Sequence, residues 1–296
     1  MTYEEIPRCF TCRGEQLIGI LHRPAKPAST GVLVVVGGPQ YRVGSHRQFT
    51  LLARYLAGQG TAVFRFDYRS MGDSEGESRD FEDIDEDIAT AIDHFFSCVP
   101  ELSRVVIWGL CDAASAALFY AHRDSRVTGL VLLNPWIRTE AGEARAYLRH
   151  YYAQRLLSGD FWNKVLSGKW RPGASFSSFL ETLKRSRAVS SPSGDRVMAD
   201  NPPPRSTPLP ERMAYGLQRF KGNVLLILSG NNDYVADEFR DMVAESPHWQ
   251  RLLSRPSVER RDFPQANHTF SKQEWRDQVA AWTWEWLTSL PGRNRP

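Results

Sequence analysis

The sequence predicts an α/β fold with a mostly parallel central sheet and helices on both faces. Three observations carry this expectation. Short apolar runs alternate with helical patterns along the chain, the rhythm of strand–helix–strand crossovers. The run Val32-Leu33-Val34-Val35-Val36 is apolar at every position, as a strand buried on both faces must be. The apolar runs end in glycine, proline and polar residues, at the strand ends where an open parallel sheet collects its ligands.

Taken in order, residues 16–22 read as a strand that Pro24 and Pro27 stop. The buried run at 32–36 ends at Gly37-Gly38-Pro39. Residues 46–58 place Phe49, Leu52, Ala53 and Leu56 at helical spacing and close on glycine. A strand over 61–66 follows, then a helix over 81–98 with Ile84, Ile88, Ile92 and Phe95 on one face. Residues 104–108 form a strand that meets Gly109, and 113–122 a helix of small residues. Strands at 127–133 and 223–228 and a tryptophan-rich helix over 272–290 complete the pattern. The chemistry is expected in the loops after Val36, Phe66, Trp108, Leu133 and Leu228.

One segment breaks this rhythm. Helical stretches at 139–157 and 161–166 lead into a serine- and proline-rich tract, residues 171–210, too long for an ordinary loop. We therefore expect residues 1–134 and 216–296 to form the core and residues 135–215 an inserted, partly irregular helical lid.

Composition narrows the classes. A chain of 296 residues buries a sizeable core without disulfides or a structural metal. Its net charge of +3, with no basic run, argues against nucleic acid as a partner. The longest apolar runs are far too short to span a membrane, and no secretory leader pattern opens the chain, so a soluble, cytoplasmic protein is expected. Cys9 and Cys12 form a lone Cys-x-x-Cys on an expected edge strand, without the following helix of a redox site or the second pair of a zinc site. No dinucleotide or phosphate-loop fingerprint appears, so neither a metal nor an organic cofactor is expected. Oligomeric state is left open.

The strongest chemical signal is Trp108-Gly109-Leu110-Cys111-Asp112-Ala113 between a strand and a helix. A nucleophile elbow needs this order. The nucleophile sits on a tight turn with small neighbours, and the next backbone N–H, that of Asp112, faces a developing oxyanion. The helix N-terminus is also expected to lower the thiol pKa. In isolation a cysteine at a strand end is more often a buried structural thiol. Other residues complete a set. Gly38, after the buried strand, is the candidate for the second oxyanion donor, since Pro39 has no N–H. Asp233 follows the strand at 223–228 and is the candidate to orient a histidine, with Asp237 as its rival. Of the seven histidines, only His268 both follows that loop and stands at the start of the last helix. Nucleophile, acid and base then occur in the order the elbow fold uses.

With these residues in place, the chain resembles the α/β-hydrolase superfamily. Val36-Gly37-Gly38-Pro39 resembles the His-Gly-Gly-Pro oxyanion loop of its prolyl-aminopeptidase-like members, with valine in place of histidine. Asp67-x-Arg69-Ser70-x-Gly72-x-Ser74 is similar to the superfamily's Asp-x-Arg-Gly-x-Gly-x-Ser signature. The segments Gly37–Arg47, Phe66–Arg69 and Gly109–Ser115 resemble the hydrolase 1 type associated with exosortase A systems, which accompany exopolysaccharide production. Gly-x-Cys-x-Gly elbows also occur in dienelactone hydrolases and polyhydroxyalkanoate synthases, and here Ala113 replaces the second glycine. The resemblance implies an α/β-hydrolase fold with an inserted lid.

The expected chemistry is a Cys111–His268–Asp233 set acting on an ester, thioester or lactone through an acyl-cysteine. The acyl substrate would be a small molecule or carrier-bound. Gln40, Tyr41, Arg42 and His46, which follow the oxyanion loop, are candidates for substrate binding. Two alternatives stand beside hydrolysis: acyl transfer by the same residues, and a binding scaffold without catalysis.

Overall fold

The computed structural model describes residues 2–38, 40–137, 201–230 and 233–290. The chain divides into two compact units, residues 1–137 with 201–296 and residues 138–200. The second unit, which holds most of the expected lid, lies outside the described residues.

The main unit is built on an eight-stranded sheet of order β1-β2-β4-β3-β5-β6-β7-β8. Its strands are β1 (Tyr3–Cys12), β2 (Glu15–Pro24), β3 (Thr30–Val35), β4 (Val63–Phe66), β5 (Arg104–Leu110), β6 (Val127–Leu133), β7 (Asn223–Ser229) and β8 (Val258–Phe263). β2 runs antiparallel to both β1 and β4, and every pairing from β4 to β8 is parallel. β1 is the outer strand, as expected of the cysteine pair. Cys9 is exposed and Cys12 buried, and both thiols are free. Residues three apart on a strand point to opposite faces, which prevents a local disulfide.

The helices are α1 (Gln48–Gly58), α2 (Asp85–Cys98), α3 (Asp112–Tyr120), α4 (Leu209–Arg219), α5 (Tyr234–Glu245), α6 (Pro247–Leu253) and α7 (Gln273–Ser289). Along β3 the side chains alternate between the two faces of the sheet. Val32, Val34 and Val36 join a cluster with Phe49 and Leu56 of α1 and Trp275, Val279 and Trp286 of α7. Leu33 and Val35, equally buried, face the other layer, where α3 packs against α2 and α4. Each such aliphatic side chain contributes about 1.5–3 kcal/mol by leaving water.

Three departures from the sequence-based expectation bear on the architecture. α1 begins at Gln48 rather than 46, because His46 and Arg47 take φ of 53° and 61°. Strand β8 was not expected: its Val-Glu-Arg-Arg-Asp-Phe sequence has no fully buried residue and suits the charged outer edge of a sheet. Helix α4 begins within the stretch assigned to the lid, yet all of it belongs to the main unit. Met213, Ala214 and Leu217 are buried there, and Gly216 passes so close to the Leu118 carbonyl that a Cβ would overlap it.

A buried polar pair joins β2 to β4. Arg65 Nε donates to His22 Nε2 over 2.9 Å, which requires a neutral imidazole. Burial and the neighbouring Arg65 charge lower the His22 pKa from 6.5 to about 4. Between those values the unfolded chain binds more protons than the folded one, so stability falls as pH drops through 6.5. Relative to His22→Gln, which can still accept from Arg65 but does not titrate, the wild type should lose about 2 kcal/mol between pH 8 and pH 5. Urea unfolding of both proteins at the two pH values checks this; parallel losses would remove His22 as the cause.

Candidate active site

The end of β5 turns tightly into α3. Cys111 lies between β5 and α3 with φ 63° and ψ −126°. An L-residue held there stores about 1–3 kcal/mol of strain, which the surroundings must offset. They do so through three hydrogen bonds. Cys111 N–H donates to the Leu133 carbonyl (2.8 Å), while the Cys111 carbonyl accepts from Ala114 N–H (3.0 Å) and Trp136 N–H (3.2 Å). The turn also requires small flanking residues. A Cβ on Gly109 would come within 2.7 Å of the Ala113 carbonyl group. Ala113 itself is fully buried, so its methyl group fits where the resemblance offers glycine.

Asp233 and His268 come together from separate loops. Asp233 N-caps α5, its carboxylate accepting from Val235 N–H. His268 Nδ1 lies 3.0 Å from both Asp233 oxygens, so the carboxylate fixes the ring with its Nδ1 proton inward. That tautomer leaves Nε2 as the base. Burial pushes the Asp233 pKa up, but His268, the Ser229 hydroxyl and the Ala236 N–H outweigh it and hold it below the ordinary value. Asp237, the rival acid, is half-exposed and paired with Arg240 at 3.1 Å. Asp233 is the acid that holds the histidine.

Sequence reasoning missed the residues that support this pair. Asn134 is fully buried with φ 43°. Its Nδ2 donates to Ser229 Oγ and to the His268 carbonyl, both at 3.1 Å, and its Oδ1 accepts from Ser229 N–H at 2.9 Å. Ser229 Oγ in turn donates to Asp233 Oδ2. One side chain thus ties the ends of β6 and β7 to the histidine loop. The only sequence signals were Asn134-Pro135 and Ser229-Gly230, which read as strand stops. Tyr234, half-exposed beside Asp233, was also missed; burial and the charges of Cys111 and Asp233 raise its pKa.

Two expectations about Cys111 and Gly38 need correction. The thiol pKa is not lowered. Burial, Asp112 and Asp233 push Cys111 up to about 12, and the opposing Asp112 N–H at the helix start is too weak to offset them. Nor does Gly38 N–H face an open site: it donates to both Asp112 carboxylate oxygens, at 2.7 and 2.8 Å. Among the described residues no hydrogen bond joins the Cys111 thiol to His268. Catalytic contacts of this kind often tighten only when substrate is bound.

The candidate substrate-binding residues divide by role. Arg42 is occupied by an ion-pair network rather than facing an open site: its guanidinium pairs with Asp67, which is fully buried, and with Asp73. Asp67 Oδ1 also accepts from Arg42 N–H at 2.5 Å. The motif from Asp67 to Ser74 is thus a structural clamp. Arg69 donates from its backbone, Nε and Nη2 to Asp87 of α2, each at 2.9 Å, and Ser74 Oγ bridges the Asp67 carbonyl and Ile18 N–H. Gln40 Oε1 accepts from Ser45 N–H and shapes its own loop. Tyr41 and His46 are exposed. Among the described residues no cluster of three or more His, Cys, Asp or Glu side chains is disposed to hold a metal.

Comparison with known proteins agrees with this architecture. Residues 32–282 match the family model described as the alpha/beta hydrolase family, and the chain belongs to that family. A quorum-quenching protein, AidA, of Acinetobacter baumannii is 34% identical over 123 residues. A polyketide transferase, claH, of Penicillium crustosum is 26% identical over 132 residues. These matches span 39% and 43% of the chain and the same shares of the two relatives. The esterase Pf2001 of Pyrococcus furiosus superposes with a TM-score of 0.64 at 16% identity, covering 98% of this chain and 94% of the esterase. At that identity the likeness concerns the fold alone. No helix among the described residues is long and apolar enough to cross a membrane.

Proposed function

We propose that the protein is a hydrolase of esters, thioesters or lactones that works through a covalent acyl-cysteine on Cys111. The observation that carries this reading is the strained backbone of Cys111 at the strand–helix turn. A structural thiol gains nothing from such a conformation, whereas a nucleophile is lifted by it out of the sheet. In this reading His268 Nε2 accepts the thiol proton and the sulfur attacks the acyl carbon. The Asp112 and Gly38 N–H groups hold the oxyanion. The leaving group departs with the proton from His268, and water, activated by the same ring, releases the acid. The acyl substrate is a small molecule or is carrier-bound. The resemblance to the exosortase A-associated type would set the enzyme beside exopolysaccharide production.

A second reading, acyl transfer to an alcohol or amine, is favoured by the likeness to a polyketide transferase. The two share the acyl-enzyme and differ in what resolves it. Purified protein incubated with acyl thioesters of graded chain length should gain one acyl mass on the Cys111 peptide. Chasing that adduct in buffer with and without an added alcohol or amine then measures the partition. Release of free acid at an unchanged rate identifies a hydrolase; faster decay with an acylated acceptor identifies a transferase. No adduct and no turnover would leave the scaffold reading.

A further inference from the structure

We propose that the Asp112 side chain is a displaceable occupant of the oxyanion site, holding the resting enzyme closed at Gly38 until a substrate carbonyl takes that N–H. The inference rests on reading Cys111 as the nucleophile. The Asp112 carboxylate is seated wholly by backbone donors: Gly38 N–H at both oxygens and Ala113 N–H at 2.9 Å. Gly37 supplies the room, since a Cβ there would overlap Asp112 Oδ1 and lie 2.5 Å from the Leu110 carbonyl. A single N–H cannot serve a carboxylate and a developing oxyanion together, and two anions in one place repel. The two occupants therefore exclude each other.

The seat is also one that can be left. The groups facing the carboxylate are Gly38 from the loop after β3, Tyr68 and Asp80 from the segment after β4, and Cys111 and Ala113 of its own turn. None is a cation, and among the described residues no ion pair anchors Asp112. Arg42, from the same loop as Gly38, is held by Asp67 and Asp73. Departure costs backbone hydrogen bonds that the incoming oxyanion remakes. It also carries a negative charge away from the thiol. Asp233, the other acid acting on Cys111, is held by its hydrogen bond to His268 Nδ1. Substrate entry thus removes one of the charges that oppose thiolate formation, and the site disfavours acyl groups with a carboxylate beside the reacting carbonyl.

The test compares wild type, Asp112→Asn and Asp112→Ala. Alkylation of the Cys111 peptide by iodoacetamide, read by mass across pH 6–10.5, reports the thiol without requiring turnover. Loss of the charge should speed alkylation at pH 8 by up to about tenfold in both variants, burial, the larger cause, being left in place. Single-turnover acylation by a neutral aryl ester should rise by at least about tenfold in Asp112→Ala, and by less in Asp112→Asn, which can still accept from Gly38. Thermal midpoints establish folding, and if the alanine variant fails to fold, the isosteric asparagine variant decides the alkylation arm. Unchanged alkylation, or slower acylation in a folded alanine variant, overturns the proposal while leaving Cys111 as nucleophile. No acyl mass on Cys111 in any of the three proteins overturns the nucleophile reading itself, and the proposal with it.

Discussion

Cys111→Ala is expected to lower turnover of an acyl ester or thioester by at least about a thousandfold and to abolish the acyl adduct, since removing a nucleophile disables the whole catalytic unit. The fold should survive. Alanine is smaller, Cys111 is only partly buried, and the bonds that set the turn run through its backbone. Alanine still has to adopt the same positive φ, so its thermal midpoint should stay close to that of the wild type. Cys111→Ser restores a nucleophile that the same base can activate and should fall between the two. The measurement is steady-state turnover with intact mass after a substrate pulse. Full activity in the alanine variant would move the chemistry to another residue.

Asp233→Asn is expected to reduce turnover by about 10²–10⁴-fold, while Asp237→Asn stays within about twofold of wild type. The asparagine amide would present an N–H or a single oxygen to His268 where two carboxylate oxygens now lie at 3.0 Å. With its amide N–H toward Nδ1, the ring would carry its proton on Nε2 and could no longer accept one from the thiol. Asp237 has no part in that geometry, since it pairs with Arg240 near the surface. Near-ultraviolet circular dichroism of both variants controls for Ser229 and Val235, which also bond to Asp233. Equal losses in the two variants would make the effect one of charge rather than orientation.

The fold was legible because its strands carry an unambiguous pattern. The apolar run at 32–36 can only be a strand buried on both faces, and the small residues Gly109 and Ala113 around Cys111 leave room only for a helix passing close to a strand. β8 was illegible because an edge strand with charged side chains lacks the apolar signal that marks its neighbours. α4 was misplaced because its buried face, Met213, Ala214 and Leu217, follows a proline-rich stretch that reads as loop.

By itself, the sequence determined the parallel sheet, the turn that carries Cys111 and the order of Cys111, Asp233 and His268 along the chain, because these are local: residue size, apolar period and position along the chain encode them. The tertiary structure alone decided that Asp233 rather than Asp237 holds His268, that Asn134 braces both strands beneath them, and that Arg42 serves Asp67. It also decided that the Asp112 carboxylate occupies the Gly38 N–H. These are contacts between residues dozens of positions apart. Their partners are chosen by which loops the sheet gathers at one edge, and that choice leaves no periodic trace in the chain.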